Sequence, residues 1–232
     1  MGIMGIIGTV GSFILGCASK IGPAIAGIAK GVVGIVSKIQ EVGTISNISK
    51  VIGFIGKVVH AIAELLGIKS EEDPEILGAK AEQSEKTIDE FDGDAEAYIK
   101  YLKEEVELDK QKFDQMTPEE KLSCKAVGLS LETKAVENKL GGVKITPESL
   151  AILGKIYMSG NAEIDAKKLL SVIESLKAAG ITNMNDVVDY LEGKGNSDRV
   201  RTGEVLKEAI GEGADDKINQ IKDAVRDLEG EE

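Results

Sequence analysis

His60 is the sole histidine of the 232-residue chain, and it stands four residues before Glu64. That spacing puts both side chains on one face of a helix, within reach of a hydrogen bond. Such a pair points to acid sensitivity, because imidazole gains charge near about pH 6 and a charged ring makes an apolar helix harder to bury. The plainer reading is a residue of a polar helix stripe. One histidine excludes catalytic triads and His-rich zinc sites by count. Cys17 and Cys124 fall one in each half, too few for a disulfide framework, and two free thiols are expected. Ile14-Leu15-Gly16-Cys17 looks like a lipoprotein cleavage box, but no Lys or Arg precedes it. Cys124 shares a helix face with Val127, Leu131 and Ala135, which suits a buried structural thiol.

The remaining candidates for chemistry fail on detail. Asp89, Glu90, Asp92 and Asp94 read as a solvated acidic turn. The 160–165 stretch resembles half a calcium loop, yet the alignment puts Tyr157 and Lys168 where acidic ligands belong. Gly193-Lys-Gly195 lacks the strand and ending of a phosphate loop. The chain therefore reads as a non-enzyme, with no cofactor, no metal and no small-molecule substrate. A formal charge of −12 argues against nucleic-acid readout, whose affinity comes from Lys and Arg on phosphates.

The elements that carry these residues divide into two unlike parts. Residues 1–69 hold six Lys against Glu41 and Glu64, a net +4, which leaves −16 for the remainder. No charge occurs from Met1 to Ser19, a run long enough to make a membrane-crossing helix a candidate. Gly2, Gly5, Gly8 and Gly11 recur every three residues and spiral around a helix rather than lining one seam. Pro23 fits the first turn of a second helix. Along 23–40, Ala24, Gly27, Gly31 and Gly34 lay down a smooth stripe that lets another backbone approach closely. Gly43 supplies a turn before a third helix, about 49–67. There Ile52, Ile55, Val59, Ile62 and Leu66 form one apolar seam, with Val51, Phe54, Val58 and Leu65 widening it. The opposite stripe, Lys50, Gly53, Lys57, His60, Glu64 and Gly67, is about one residue wide, narrower than on an ordinary surface helix. Gly53 and Gly56 are further packing positions on this helix.

The acidic part opens at Ser70-Glu-Glu-Asp-Pro74, a linker followed by a short helix to about residue 93. A helix is expected over 95–116, its seam of Ile99, Leu102, Val106, Phe113 and Met116 interrupted only by Asp109. Thr117-Pro118-Glu119-Glu120 is a capping box. It opens a helix in which Leu122, Ala126, Leu129, Thr133, Val136 and Leu140 step by four and three, stopped by Gly141-Gly142. The two helices suggest an antiparallel hairpin over 94–142. Five shorter helices follow over 143–232, with starts at Thr146-Pro147 and Asp165, stops at Gly180 and Gly193, and Ile218, Ile221, Val225 and Leu228 in the last. No period-two run of useful length argues for a sheet. The expected fold is all-α: glycine-rich apolar N-terminal helices (1–68), an acidic linker with a short helix (69–93), a helical hairpin (94–142) and a small C-terminal helical bundle (143–232).

Thirteen of the chain's 27 glycines lie in residues 1–68, amid Ile, Val and Ala and isolated Lys. In composition this stretch resembles two groups, the α-helical pore-forming toxins and the internal ejection proteins of tailed phages. The resemblance carries no residue roles. It implies a membrane-inserting, homo-oligomeric helical protein that meets an anionic lipid surface, soluble before insertion. The competing expectation is a structural virion or tube subunit whose apolar helices are buried between copies and never meet lipid.

Overall fold

A computed structural model describes residues 3–39, 44–69, 72–158, 165–194 and 199–227. Gly2, Glu41, Gly43, Ser70, Glu71, residues 160–164, Gly195 and Leu228, singled out above, lie outside the described residues. Among the described residues the fold is all-helical, as expected, and contains no strand. The nearest thing to one is a single backbone bridge between Lys144 and Asn183.

The organising element is α6 (Pro118–Leu140). Its start is fixed locally: Thr117 Oγ1 accepts from the Glu120 amide, and Glu120 returns a carboxylate to the Thr117 amide. Gly141, in the left-handed region, stops it. Fifteen of its 23 residues are buried, so both apolar seams read from the sequence are used at once, as befits a helix surrounded on all sides. Ser123, Ser130 and Thr133 fall inside that surround. Their hydroxyls donate to the carbonyls four residues back, at 2.7–2.8 Å, which lets them be buried without an outside partner.

Around α6 pack α1 (Ile3–Val36), α2 (Ile45–Leu65), α3 (Pro74–Gln83) and α4 (Ala95–Glu105). The closest approach is that of α3. A methyl group placed on Gly78 would lie 1.8 Å from the Cys124 carbonyl oxygen, and one on Gly128 would lie 1.9 Å from that of Pro74. The two glycines thus let the helix backbones touch reciprocally. A glycine inside a helix costs up to about 1 kcal/mol relative to alanine, and at these two positions close packing is the return.

The expected 95–116 helix is two. It ends at Glu105, and α5 (Lys110–Gln115) restarts after an extended stretch, with none of its residues buried. Asp109, the interruption in the seam, is the cause. Its side chain caps α5 by accepting from the Lys112 amide, and its own amide donates to Gln83 Oε1 at 2.8 Å. The shortened α4 still lies against α6, joined by Lys139 and Glu96 at 2.8 Å.

The C-terminal helices are α7 (Pro147–Met158), α8 (Ala166–Ala178), α9 (Asn185–Leu191), α10 (Arg199–Ile210) and α11 (Ala214–Asp227). Asp165 caps α8 through the Lys167 and Lys168 amides. Two of these helices, α7 and α8, also pack on α2, and α7 packs on α1. One apolar core therefore runs without a break from Ile6 to Val225.

Candidate membrane-inserting face and the His60 contact

The first helix, α1, is two rods. Gly22 has φ 77° and ψ 156°, a conformation closed to other residues, and Pro23 lacks the amide that would continue the hydrogen-bond ladder. The first rod, 3–21, is about 28 Å long at 1.5 Å per residue, close to the roughly 30 Å hydrocarbon thickness of a bilayer. Ile6, Val10, Ile14, Cys17 and Ile21 form its buried side, at steps of four and three. The other side is uncharged and exposed: Met4 (84% exposed), Gly5, Gly8, Thr9, Ser12, Leu15 (58%), Gly16 and Ser19.

That outer side has two properties that matter in lipid. Thr9 and Ser12 donate their hydroxyls to the Gly5 and Gly8 carbonyls, so the polar atoms are satisfied within the helix. Gly8, Gly11 and Gly16 have open space where a side chain would be, so the surface is smooth. Among the described residues, α1 is the one helix long and apolar enough to cross a membrane. Its first rod is covered by protein on one side only.

The second rod is anchored. A methyl group on Gly31 would lie 2.5 Å from Pro147 Cγ, so this glycine seats α1 on the start of α7. The expected stripe is accordingly split, since Gly27 and Gly34 meet nothing within 4 Å. Substituting Gly31 would disturb the fold itself rather than contacts between copies.

In α2 the seam of Ile52, Ile55, Val59 and Ile62 is buried as its pattern indicates, with Leu66 packed partly against it. Its cover is the same chain. Gly154 of α7 sits against Val51 and Ile55, and Phe54 stacks on Tyr157 with ring centroids 4.6 Å apart. Gly56 lies against Pro74, while Gly53 is open. A stretch too greasy to face water does find protein cover, intramolecularly for α2 and on one side only for the first rod of α1.

His60 meets Glu64 at 3.6 Å, as the spacing suggests, but its closer partner is Glu132 of α6, 3.0 Å from Nδ1. Glu132 is 0% exposed. The sequence reading missed it, although a signal existed: a helix apolar on two faces leaves Glu132 nowhere to reach water. His60 thus joins α2 to α6 through a buried carboxylate. We expect His60→Ala to cost about 2 kcal/mol in urea unfolding, because it removes a hydrogen bond from a buried carboxylate. Glu64→Gln should change stability by less than about 0.5 kcal/mol, since Glu64 lies in solvent. Equal effects from both would refute the assignment of the contact to Glu132.

The cysteines are free and buried. Burial pushes the Cys124 thiol up, keeping it protonated and unreactive. Asp92 and Asp94 bend and cap the chain before α4, the role of a solvated turn. Among the described residues no group of acidic, His or Cys side chains is arranged to hold a metal. No family model, curated protein or solved structure matches this chain.

Proposed function

We propose that the chain is a membrane-inserting helical protein and that the first rod of α1 is the element that enters the bilayer. The observation that carries this reading is a rod of bilayer length, uncharged up to Ser19, with one face exposed and the Thr9 and Ser12 hydroxyls on that face bonded within the helix. In water the rod keeps Ile6, Val10, Ile14, Cys17 and Ile21 against the protein. In lipid all sides gain, and Met4 and Leu15 are buried as well, at ~1.5–3 kcal/mol for each large side chain fully removed from water. Of the apolar helices within residues 1–68, insertion in this reading falls to α1 alone. The buried side chains of α2 are committed to α6 and α7, whereas Gly22 and Pro23 interrupt α1 where its two rods could part.

Withdrawal of the rod would uncover its side of α6, which would need lipid or a second copy of the chain. Oligomerisation therefore goes with insertion in this reading. The Lys residues of the N-terminal third would favour an anionic surface by about 1 kcal/mol each. The test is dye release from vesicles of anionic phospholipid by the intact chain, with neutral vesicles alongside. We expect release that is stronger from the anionic vesicles. Full retention of dye at every protein-to-lipid ratio would end the proposal.

A second reading rests on the same exposed face. Its small residues would also let two copies pack closely, as in a structural subunit. A large oligomer in plain buffer, unchanged by detergent and without dye release, would favour that reading.

A further inference from the structure

The C-terminal helices and α2 form a half-open cavity of about 810 Å³ that the membrane reading does not use. It lies between α2, α7, α8, α9, α10 and α11. Its inner wall is aliphatic, built from residues such as Leu150, Ile173, Leu176, Val188, Leu206 and Ile218. All six are buried. The size is within the roughly 300–1,000 Å³ of small-molecule sites. A wall of branched aliphatic side chains offers no donors, acceptors or aromatic faces to orient a polar or planar ligand. It suits a flexible hydrocarbon chain.

The polar groups are confined to the edge: Ser149, Asp165, Lys168, Lys217 and Gln220. Both lysines are exposed, with stems able to lie along apolar surface while their ammonium groups reach water. The Asp165 carboxylate is engaged in capping α8, where its Oδ1 accepts from the Lys167 and Lys168 amides at 2.9 and 3.2 Å. Lys217 Nζ has the Glu212 carbonyl at 3.5 Å, a long contact. With Asp165 counted, the charged residues lining this aliphatic cavity sum to +1, in the part of the chain whose net charge is −16. That local reversal of sign, above a hydrocarbon-lined interior, is what an amphiphile with an anionic head requires.

We propose that this cavity binds a single long acyl chain carrying an anionic head group, with Lys168 and Lys217 at the head and the aliphatic wall around the tail. A free fatty acid carboxylate and a lipid phosphate both supply such a head, and both chemistries meet the same two lysines. The site is separate from α1, so it stands or falls independently of membrane insertion.

The experiment is a calorimetric titration of the intact protein with oleate below its micelle-forming concentration, with oleoyl lysophosphatidylglycerol and oleate methyl ester in parallel. Saturable binding at one per chain is expected for the anionic amphiphiles, with the tighter of the two identifying the source of the head group. The methyl ester should bind at least tenfold more weakly. The double variant Lys168→Glu/Lys217→Glu changes exposed residues only, and should weaken the anionic ligands at least tenfold while leaving the ester unchanged. Val187→Trp, which fills the cavity from a half-buried position, should remove binding of all three. No saturable binding to the folded protein overturns the proposal. So does binding indifferent to both the charge reversal and the filling variant, or a dimer, insensitive to oleate, that Val187→Trp disrupts.

Discussion

On the proposed insertion of the first rod of α1, replacing Ser12 by Glu is expected to reduce vesicle leakage about 100-fold while leaving the fold intact. Ser12 is the midpoint of the first rod, and its side chain is on the exposed side of α1. Its hydroxyl serves only the Gly8 carbonyl one turn earlier. The glycines around it face open space, so a carboxylate there reaches water without displacing a neighbour. Surface substitutions of that kind change stability by roughly 0.5 kcal/mol or less. In a bilayer the same position would lie at the centre of the hydrocarbon, where a charged side chain costs about 2.5–3.5 kcal/mol. At about 1.4 kcal/mol per factor of ten, that corresponds to the 100-fold loss. Circular dichroism and thermal unfolding establish that the variant is folded, and dye release reads its insertion. Wild-type leakage from the folded variant would show that another segment enters the membrane.

Alanine at Gly78 or Gly128 should destabilise the protein by about 3 kcal/mol or more. A new Cβ would fall under 2 Å from a backbone carbonyl oxygen, and a carbonyl held in a helix cannot rotate aside as a side chain can. The helices α3 and α6 must then separate along their whole contact, a severe form of overpacking. Gly8→Ala is the opposing control. That glycine lies in a helix with nothing within 4 Å, so alanine should stabilise by about 0.5–1 kcal/mol through the unfolded chain and helix propensity. Urea midpoints of the three variants provide the comparison. A neutral Gly78→Ala would mean that α3 and α6 do not cross at backbone distance.

These two experiments separate the two uses of glycine in this chain. In the first rod of α1 the glycines make an exposed surface smooth. In α3 and α6 they bring backbones together at the centre of the fold. Composition alone weights them the other way, because the N-terminal third holds almost half of them and Gly78 and Gly128 stand isolated. The signal available was the cost of an isolated mid-helix glycine, which asks for a packing reason without naming the partner.

What the sequence settled by itself is what depends on neighbours a few residues away. The capping box at Thr117–Glu120, the Asp165 cap, the Pro23 break and the Gly141, Gly180 and Gly193 stops are local hydrogen-bond problems solved within a turn or two. The buried seam of α2 and the two seams of α6 followed from helix periodicity. Even the break before α5 was written in Asp109, read as a flaw in a seam when it was a cap. Tertiary structure alone decided that α6 is the central helix, that α3 touches it through glycine, and that His60 turns to a residue 72 positions away. It also decided that α7 and α8 close over α2 and that six helices leave an aliphatic cavity with two lysines at its rim. These depend on which apolar face meets which. A seam of Ile, Val and Leu specifies that a face must be covered, but dispersion and water exclusion are non-directional and carry no address for the cover.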